Sequence, residues 1–281
     1  MRSTPPSTAK RRTDRIGREL AAMAAAFRVG LASAVAAWPV LLGRAIFYAV
    51  CMMVLTAFWD KVGAQRLAGT FALRLPPGGL ATYVGVTEWI TLSVPAIQLK
   101  LEDDIRTGAL EPHLLRPKAY LAQAIAGQAG GMIARLAILG VAALALLALS
   151  GRAWPSPAGI AYAALLGVIG AGIGMMIFAI VGLTAFWLRR VLPVLLIVQK
   201  LMFLLGGLFA PISLYPGWLR DAAALSPFGA HLAFAGQAVI GLSADDFWRA
   251  LTLQAFWLVA LTGLAALVWR AGLAKTLRAG V

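Results

Sequence analysis

Cysteine, histidine and acidic side chains are scarce in this chain of 281 residues. The single cysteine, Cys51, excludes an internal disulfide and reads as a small core residue. The two histidines, His113 and His231, lie far apart, which argues against a histidine-based metal site or a nucleophile–His pair. No G-x-x-x-x-G-K-[ST] stretch occurs, so the chain has no P-loop cradle for nucleotide phosphates. Asp and Glu together number 11 against 25 Lys and Arg, for a net charge of +14. Little polar sequence remains for a large soluble domain. Chemistry that needs one is expected from a partner.

What the chain has in abundance is apolar sequence. Hydrophobic residues make up 61% of it and mean hydropathy is +0.83. A membrane-spanning helix needs about 20 mostly apolar residues, and six segments qualify: 41–59, 78–97, 124–149, 158–187, 191–213 and 247–269. The fourth is long enough to require tilt, a break or projection into water. The expected fold is an all-α integral membrane protein with six transmembrane helices.

Charge placement agrees with that count. With six spans, 16 Lys and Arg residues fall on the side of both termini and 6 on the other. The richer side includes Arg18, Arg28, Lys100, Arg106, Arg189, Arg190, Lys275 and Arg278. Positive charge marks the cytoplasmic face, so both termini are expected there. Basic loops beside anionic membrane lipid account for the net charge, and no nucleic acid is needed as a partner.

Residues 1–15 are polar and basic, with Pro5 and Pro6, and are expected to be disordered. They do not resemble a secretory signal. Across 16–40, Leu20, Met23, Phe27, Leu31 and Val35 recur at helical spacing, with Arg18, Glu19 and Arg28 off the stripe. This predicts an interfacial amphipathic helix ended near Pro39, ahead of a six-span domain over 41–281. The glycines Gly170, Gly172 and Gly174 sit inside a span with no preceding strand, so they read as close helix contacts rather than a dinucleotide loop. Gly127, Gly130 and Gly131 read the same way.

Four charges fall within the spans: Arg44, Glu88, Arg135 and Lys200. A charge at a helix centre costs about 2.5–3.5 kcal/mol on insertion scales, so each needs a partner or a route to water. The three basic side chains are long enough to snorkel to an interface. Glu88 is short and near mid-span. One reading is recognition of a cationic substrate or a proton. The expectation taken here is an ion pair with Arg135 or Arg44, since both partners are available.

Two stretches carry a resemblance. Between spans two and three the chain reads Leu99-Lys100-Leu101-Glu102-Asp103-Asp104-Ile105-Arg106-Thr107-Gly108-Ala109-Leu110-Glu111-Pro112-His113-Leu114-Leu115-Arg116-Pro117. An acidic residue, Ile-Arg-x-Gly and then Leu-Leu-Arg-Pro resembles the first cytoplasmic loop of type-2 ABC transporter permeases, in particular a bacterial six-span exporter subgroup. Gly206-Gly207-Leu208-Phe209-Ala210-Pro211, Tyr215-Pro216-Gly217-Trp218-Leu219 and Leu225-Ser226-Pro227-Phe228 resemble the segment at the outer end of that family's fifth span. Relatives often continue with another proline, where this chain has His231-Leu232-Ala233.

The resemblance implies a transporter subunit of the bacterial inner membrane, not an enzyme, that pairs with a second permease and with a separate ABC ATPase. The ATPase would bind ATP and magnesium, and this chain no cofactor. The loop over 99–118 would couple to the ATPase, through Glu102, Asp103, Asp104, Ile105, Arg106, Gly108, Leu110, Leu114, Leu115, Arg116 and Pro117. On the outer side, 211–246 is expected to form a re-entrant hairpin punctuated by Pro211, Pro216 and Pro227, with Trp218 at the interface. Export is implied because importers usually need a soluble substrate-binding domain. The competing classes are a proton-coupled secondary transporter, which calls for inverted repeats and several intramembrane carboxylates, and a membrane-embedded lipid-modifying enzyme, which calls for a convergent polar site.

Overall fold

The computed structural model describes residues 8–62, 78–110 and 120–278, and no strand occurs among them. In chain order the helices are α1 (Thr8–Ala36), α2 (Trp38–Val62), α3 (Gly79–Ser93), α4 (Ile97–Arg106), α5 (Tyr120–Leu149), α6 (Pro157–Leu183), α7 (Leu192–Leu205), α8 (Gly217–Leu225), α9 (Pro227–Gly241) and α10 (Ala244–Arg278). Short 3-10 turns follow α6 and α7, at Thr184–Phe186 and Ile212–Leu214.

Among the described residues six helical segments are long and apolar enough to cross a membrane, the number expected. The chain is an all-α, multi-pass membrane protein. The membership of the six differs from expectation in two places. Ile16–Ala36 of α1 has a window of mean hydropathy 1.4 and qualifies by length and composition, where the sequence pattern predicts an interfacial helix. Its polar residues cluster toward its start, which leaves the later turns rich in Ala, Leu and Val. Helix also begins at Thr8, inside the stretch expected to be disordered. Ala, Lys and Arg there are good helix formers.

The second difference is the fifth span. α7 has 14 residues, about 21 Å at 1.5 Å per residue, against a hydrocarbon core about 30 Å thick. It stops at Gly206 because Gly207 takes a left-handed backbone, with φ +67°, and Pro211 follows. Carbonyls released from the helix are captured by α3. The Tyr83 hydroxyl donates to the Gly207 carbonyl at 2.7 Å, and the Thr87 hydroxyl donates to the Leu208 carbonyl at 2.8 Å. Both donors are buried, as irregular backbone at membrane depth requires.

α6 is the hub of the core, packed by α4, α9 and α10. Its glycines permit this. A Cβ on Gly170 would lie 2.3 Å from the His231 carbonyl oxygen, and one on Gly174 would lie 2.4 Å from the His231 ring. α8 and α9 form a pair bent by 99° at Ser226, whose hydroxyl caps α9 by accepting from the Gly229 amide at 3.0 Å. Pro227 occupies the first turn of α9, where its missing N–H is harmless. α1 lies parallel to the start of α5, seated on the predicted small-residue surface. A Cβ on Gly130 would meet the Phe27 carbonyl oxygen at 2.1 Å, and one on Gly30 would meet the Gly127 carbonyl oxygen at 1.8 Å.

Candidate functional site

α4 continues the second span beyond a break at Val94-Pro95-Ala96, and Gly79–Arg106 counts as one segment of 28 residues. Its amphipathicity explains its seat. Ile97, Gln98, Leu101 and Glu102 share one face and are buried, while Asp103 and Arg106 face out. The buried face rests on Gly182 of α6, where an added Cβ would lie 2.7 Å from the Gln98 Cα. Ile105 extends the contact to the small cluster of Val181, Ala185, Val191 and Leu195.

The acidic triplet divides three ways. Glu102 turns inward: its carboxylate accepts from the Val191 amide at 3.4 Å and lies 3.9 Å from the Arg190 guanidinium. Asp104 accepts from Lys100 at 2.7 Å and from the Tyr120 hydroxyl. Asp103 alone remains open to an outside partner. The expectation that all three face a partner is therefore narrowed to Asp103. Leu110, expected to fill a partner's cleft, is buried within this chain instead. Gly108 sits in the turn that ends the element, with φ +72°. The Thr107 amide and hydroxyl both donate to the Asp103 carbonyl, at 2.9 and 2.8 Å. Leu114, Leu115, Arg116 and Pro117 lie outside the described residues.

The same end of the bundle is tied together by aromatic rings. Tyr120 stacks on Trp269 of α10 with centroids 5.5 Å apart, and Trp269 meets Phe186 edge-on at 5.6 Å. Lys275 donates to the Phe186 carbonyl at 2.9 Å. α4, α5, the turn after α6 and α10 thus form one connected platform. Tyr120 carries much of this, and the loop sequence alone does not point to it.

The charges within the spans do not meet as expected. Arg44 donates to the Leu92 carbonyl at 3.1 Å, and an Arg135 guanidinium nitrogen lies 3.7 Å from where a Gly131 Cβ would stand. Both are turned away from Glu88 toward the platform end. Lys200 lies over the Phe203 ring at 5.7 Å. Glu88 is 9% exposed and, among the described residues, has neither an ion pair nor a hydrogen bond. The predicted pairing of Glu88 with Arg135 or Arg44 is absent among the described residues: Arg44 is engaged with the Leu92 carbonyl, and an Arg135 guanidinium nitrogen is buried without a hydrogen bond.

At the far end, Pro211 opens the 3-10 turn, Pro216 precedes α8, and Trp218 is exposed. The Tyr215 hydroxyl donates to the Leu204 carbonyl at 2.7 Å, which closes the end of α7. Trp257 of α10 donates to the Leu225 carbonyl at 3.0 Å and holds the α8–α9 corner.

Residues 80–280 match the model of a family described as ABC-2 family transporter protein. This chain belongs to that family. No curated protein matches it. The permease is thus a membrane transport component of the ABC class, a family whose members in general work with an ABC ATPase. The match covers every element of the platform and of the α8–α9 corner. It leaves out α1 and α2.

Proposed function

We propose that this permease is the transmembrane subunit of an ATP-driven exporter of the bacterial inner membrane, with both termini cytoplasmic. It forms the pathway with a second permease, and a separate ATPase that binds ATP and magnesium docks on the platform end. The observation that carries the reading is the seating of α4. Its inner face is packed on α6 and bonded to the backbone that opens α7, while Asp103 and Arg106 stay outside. A push on the outer face is transmitted to two spans at once, as rigid-body rocking requires. The apolar residues exposed along α2 and α7, among them Phe47, Val54, Leu196 and Leu204, suit lipid and a second permease alike.

The test is purification of the assembled complex from cells that express the permease with its ATPase. The complex hydrolyses ATP, and Asp103→Lys combined with Arg106→Glu is expected to lower ATPase recovery at least fivefold at equal permease yield. Full recovery and full turnover in that variant overturn the docking assignment.

A further inference from the structure

Two cations within the spans, Arg44 and Arg135, have no acidic partner among the described residues. Both stand at the platform-side end of α3. The Arg44 guanidinium donates to the Leu92 carbonyl, in the last turn of α3, at 3.1 Å. α5 meets the same turn: the Trp89 indole donates to the Leu136 carbonyl at 2.8 Å, and Arg135 is the residue before Leu136. The Arg135 side chain runs back along α5 toward Gly131, where a Cβ would stand 3.7 Å from its guanidinium and 3.8 Å from the Ala34 Cβ of α1. The guanidinium therefore lies beneath the last turns of α1.

A guanidinium carries five N–H donors and is not deprotonated in proteins. Arg44 uses one of them on a neutral carbonyl. Arg135 makes no hydrogen bond among the described residues, although it is half-buried and one of its nitrogens is enclosed. Glu88, the carboxylate of α3, pairs with neither. Positive charge left uncompensated in a poorly polar setting attracts an anion strongly, and the guanidinium fork matches two phosphate oxygens. The surroundings favour a lipid as the source. Leu42 and Ile46 of α2 are exposed on either side of Arg44 in sequence, an apolar surface for acyl chains. Trp38, exposed at the start of α2, suits the membrane interface, and from there to Arg44 is about 9 Å at the helical rise, which a long side chain can largely bridge.

We propose that Arg44 and Arg135 bind the phosphodiester of an anionic phospholipid in the leaflet on the platform side. The site requires only that the chain spans a membrane, so it stands apart from the exporter reading. Failure of ATPase docking leaves it intact, and its failure leaves docking intact.

The experiment incubates the purified permease with equimolar phosphatidylglycerol and phosphatidylcholine of the same acyl chains, and native mass spectrometry reads the lipid retained. Phosphatidylglycerol is expected to be retained at least fivefold over phosphatidylcholine. Arg135→Gln and Arg44→Gln, each alone, are expected to lower that preference at least threefold. Lys200→Gln removes an equal charge elsewhere in the spans and should leave it unchanged. Excess inorganic phosphate should displace no more phosphatidylglycerol than sodium chloride of equal ionic strength. Equal retention of the two lipids by the unaltered protein overturns the site, and this measurement decides the matter even if an arginine variant folds poorly. An equal fall in the Lys200→Gln variant reduces the effect to net charge and overturns the assignment to the two arginines. Displacement by inorganic phosphate beyond that by chloride overturns the lipid source in favour of the free anion.

Discussion

Glu102 and Arg190 link the helix that follows the second span to the turn that follows the fourth. The carboxylate lies 3.9 Å from the guanidinium and accepts from the neighbouring Val191 amide. Arg190 is largely exposed, so its share is that of a surface pair, and the amide bond matters more. Glu102→Gln keeps a carbonyl acceptor for Val191 but gives up the charge. It is expected to cost on the order of 1 kcal/mol, with a small fall in melting temperature. Glu102→Ala leaves the buried amide without an acceptor and is expected to cost more. If both variants melt with the unaltered protein, α4 is not anchored there. In ATP turnover of the complex, Glu102→Ala should uncouple hydrolysis from the permease, whereas Arg190→Gln should change little.

Two glycines of α6 make an internal control. A Cβ at Gly174 would stand 2.4 Å from the His231 ring, whose Nδ1 is held 2.8 Å from the Gly170 carbonyl and cannot easily yield. A Cβ at Gly172 would be 3.6 Å from the end of the Leu258 side chain, an ordinary contact. Gly174→Ala is expected to destabilise by about 1–3 kcal/mol through overpacking. Gly172→Ala is expected to be neutral or to stabilise by about 0.5–1 kcal/mol, since helix interiors favour alanine. Thermal melting of the two variants in one detergent checks the opposite signs.

Glu88 is buried without a partner among the described residues. Breaking a buried pair from one side costs about 3–5 kcal/mol, and that loss would follow Glu88→Gln had the pair with Arg135 or Arg44 formed. Here the expected outcome is unchanged or raised melting temperature, because an isolated carboxylate in a span is itself unfavourable. Arg135→Gln should not restore or alter the Glu88→Gln phenotype. A fall of several degrees, rescued by the second change, restores the pairing. Loss of transport at unchanged stability assigns Glu88 to the pathway.

The helical segments were legible because apolar runs about 20 residues long have one main explanation, and the glycine clusters were legible because spacing alone places Gly127, Gly130 and Gly131 on a surface that admits α1 closely. The fifth span was overrun because Gly206-Gly207 sits inside continuous apolar sequence. Only the donors Tyr83 and Thr87 on α3 make an ending there tolerable. Those residues carry a signal, hydroxyls four residues apart in an apolar helix, but it does not name the carbonyls they reach. Charge pairing was the least legible feature. Sequence supplies partners for Glu88, but rotamers send both arginines the other way. The acidic triplet reads as one patch in sequence, yet the 100° step between successive helical residues turns Glu102 inward and Asp103 outward.

The sharpest local requirement is at Gly108. Its φ of +72° lies in the left-handed region, where a β-branched side chain is strongly disfavoured and asparagine is tolerated. The turn it makes sends the chain away from α4 while leaving Asp103 exposed and Leu110 buried. Gly108→Val is expected to strain this turn by roughly 1–2 kcal/mol. The strain is relieved by unwinding the last turn of α4, which moves Asp103 and Arg106 together. The spans are packed elsewhere, so insertion into the membrane and melting temperature should change little. ATPase recovery and ATP turnover in the assembled complex should fall several-fold. Gly108→Asn separates geometry from side-chain bulk, since it accepts the same backbone and is expected to keep most of the turnover. Equal loss in both variants would mean that side-chain volume at the docking face, not the left-handed backbone, is what matters. Full turnover in the valine variant would remove the turn from the coupling path.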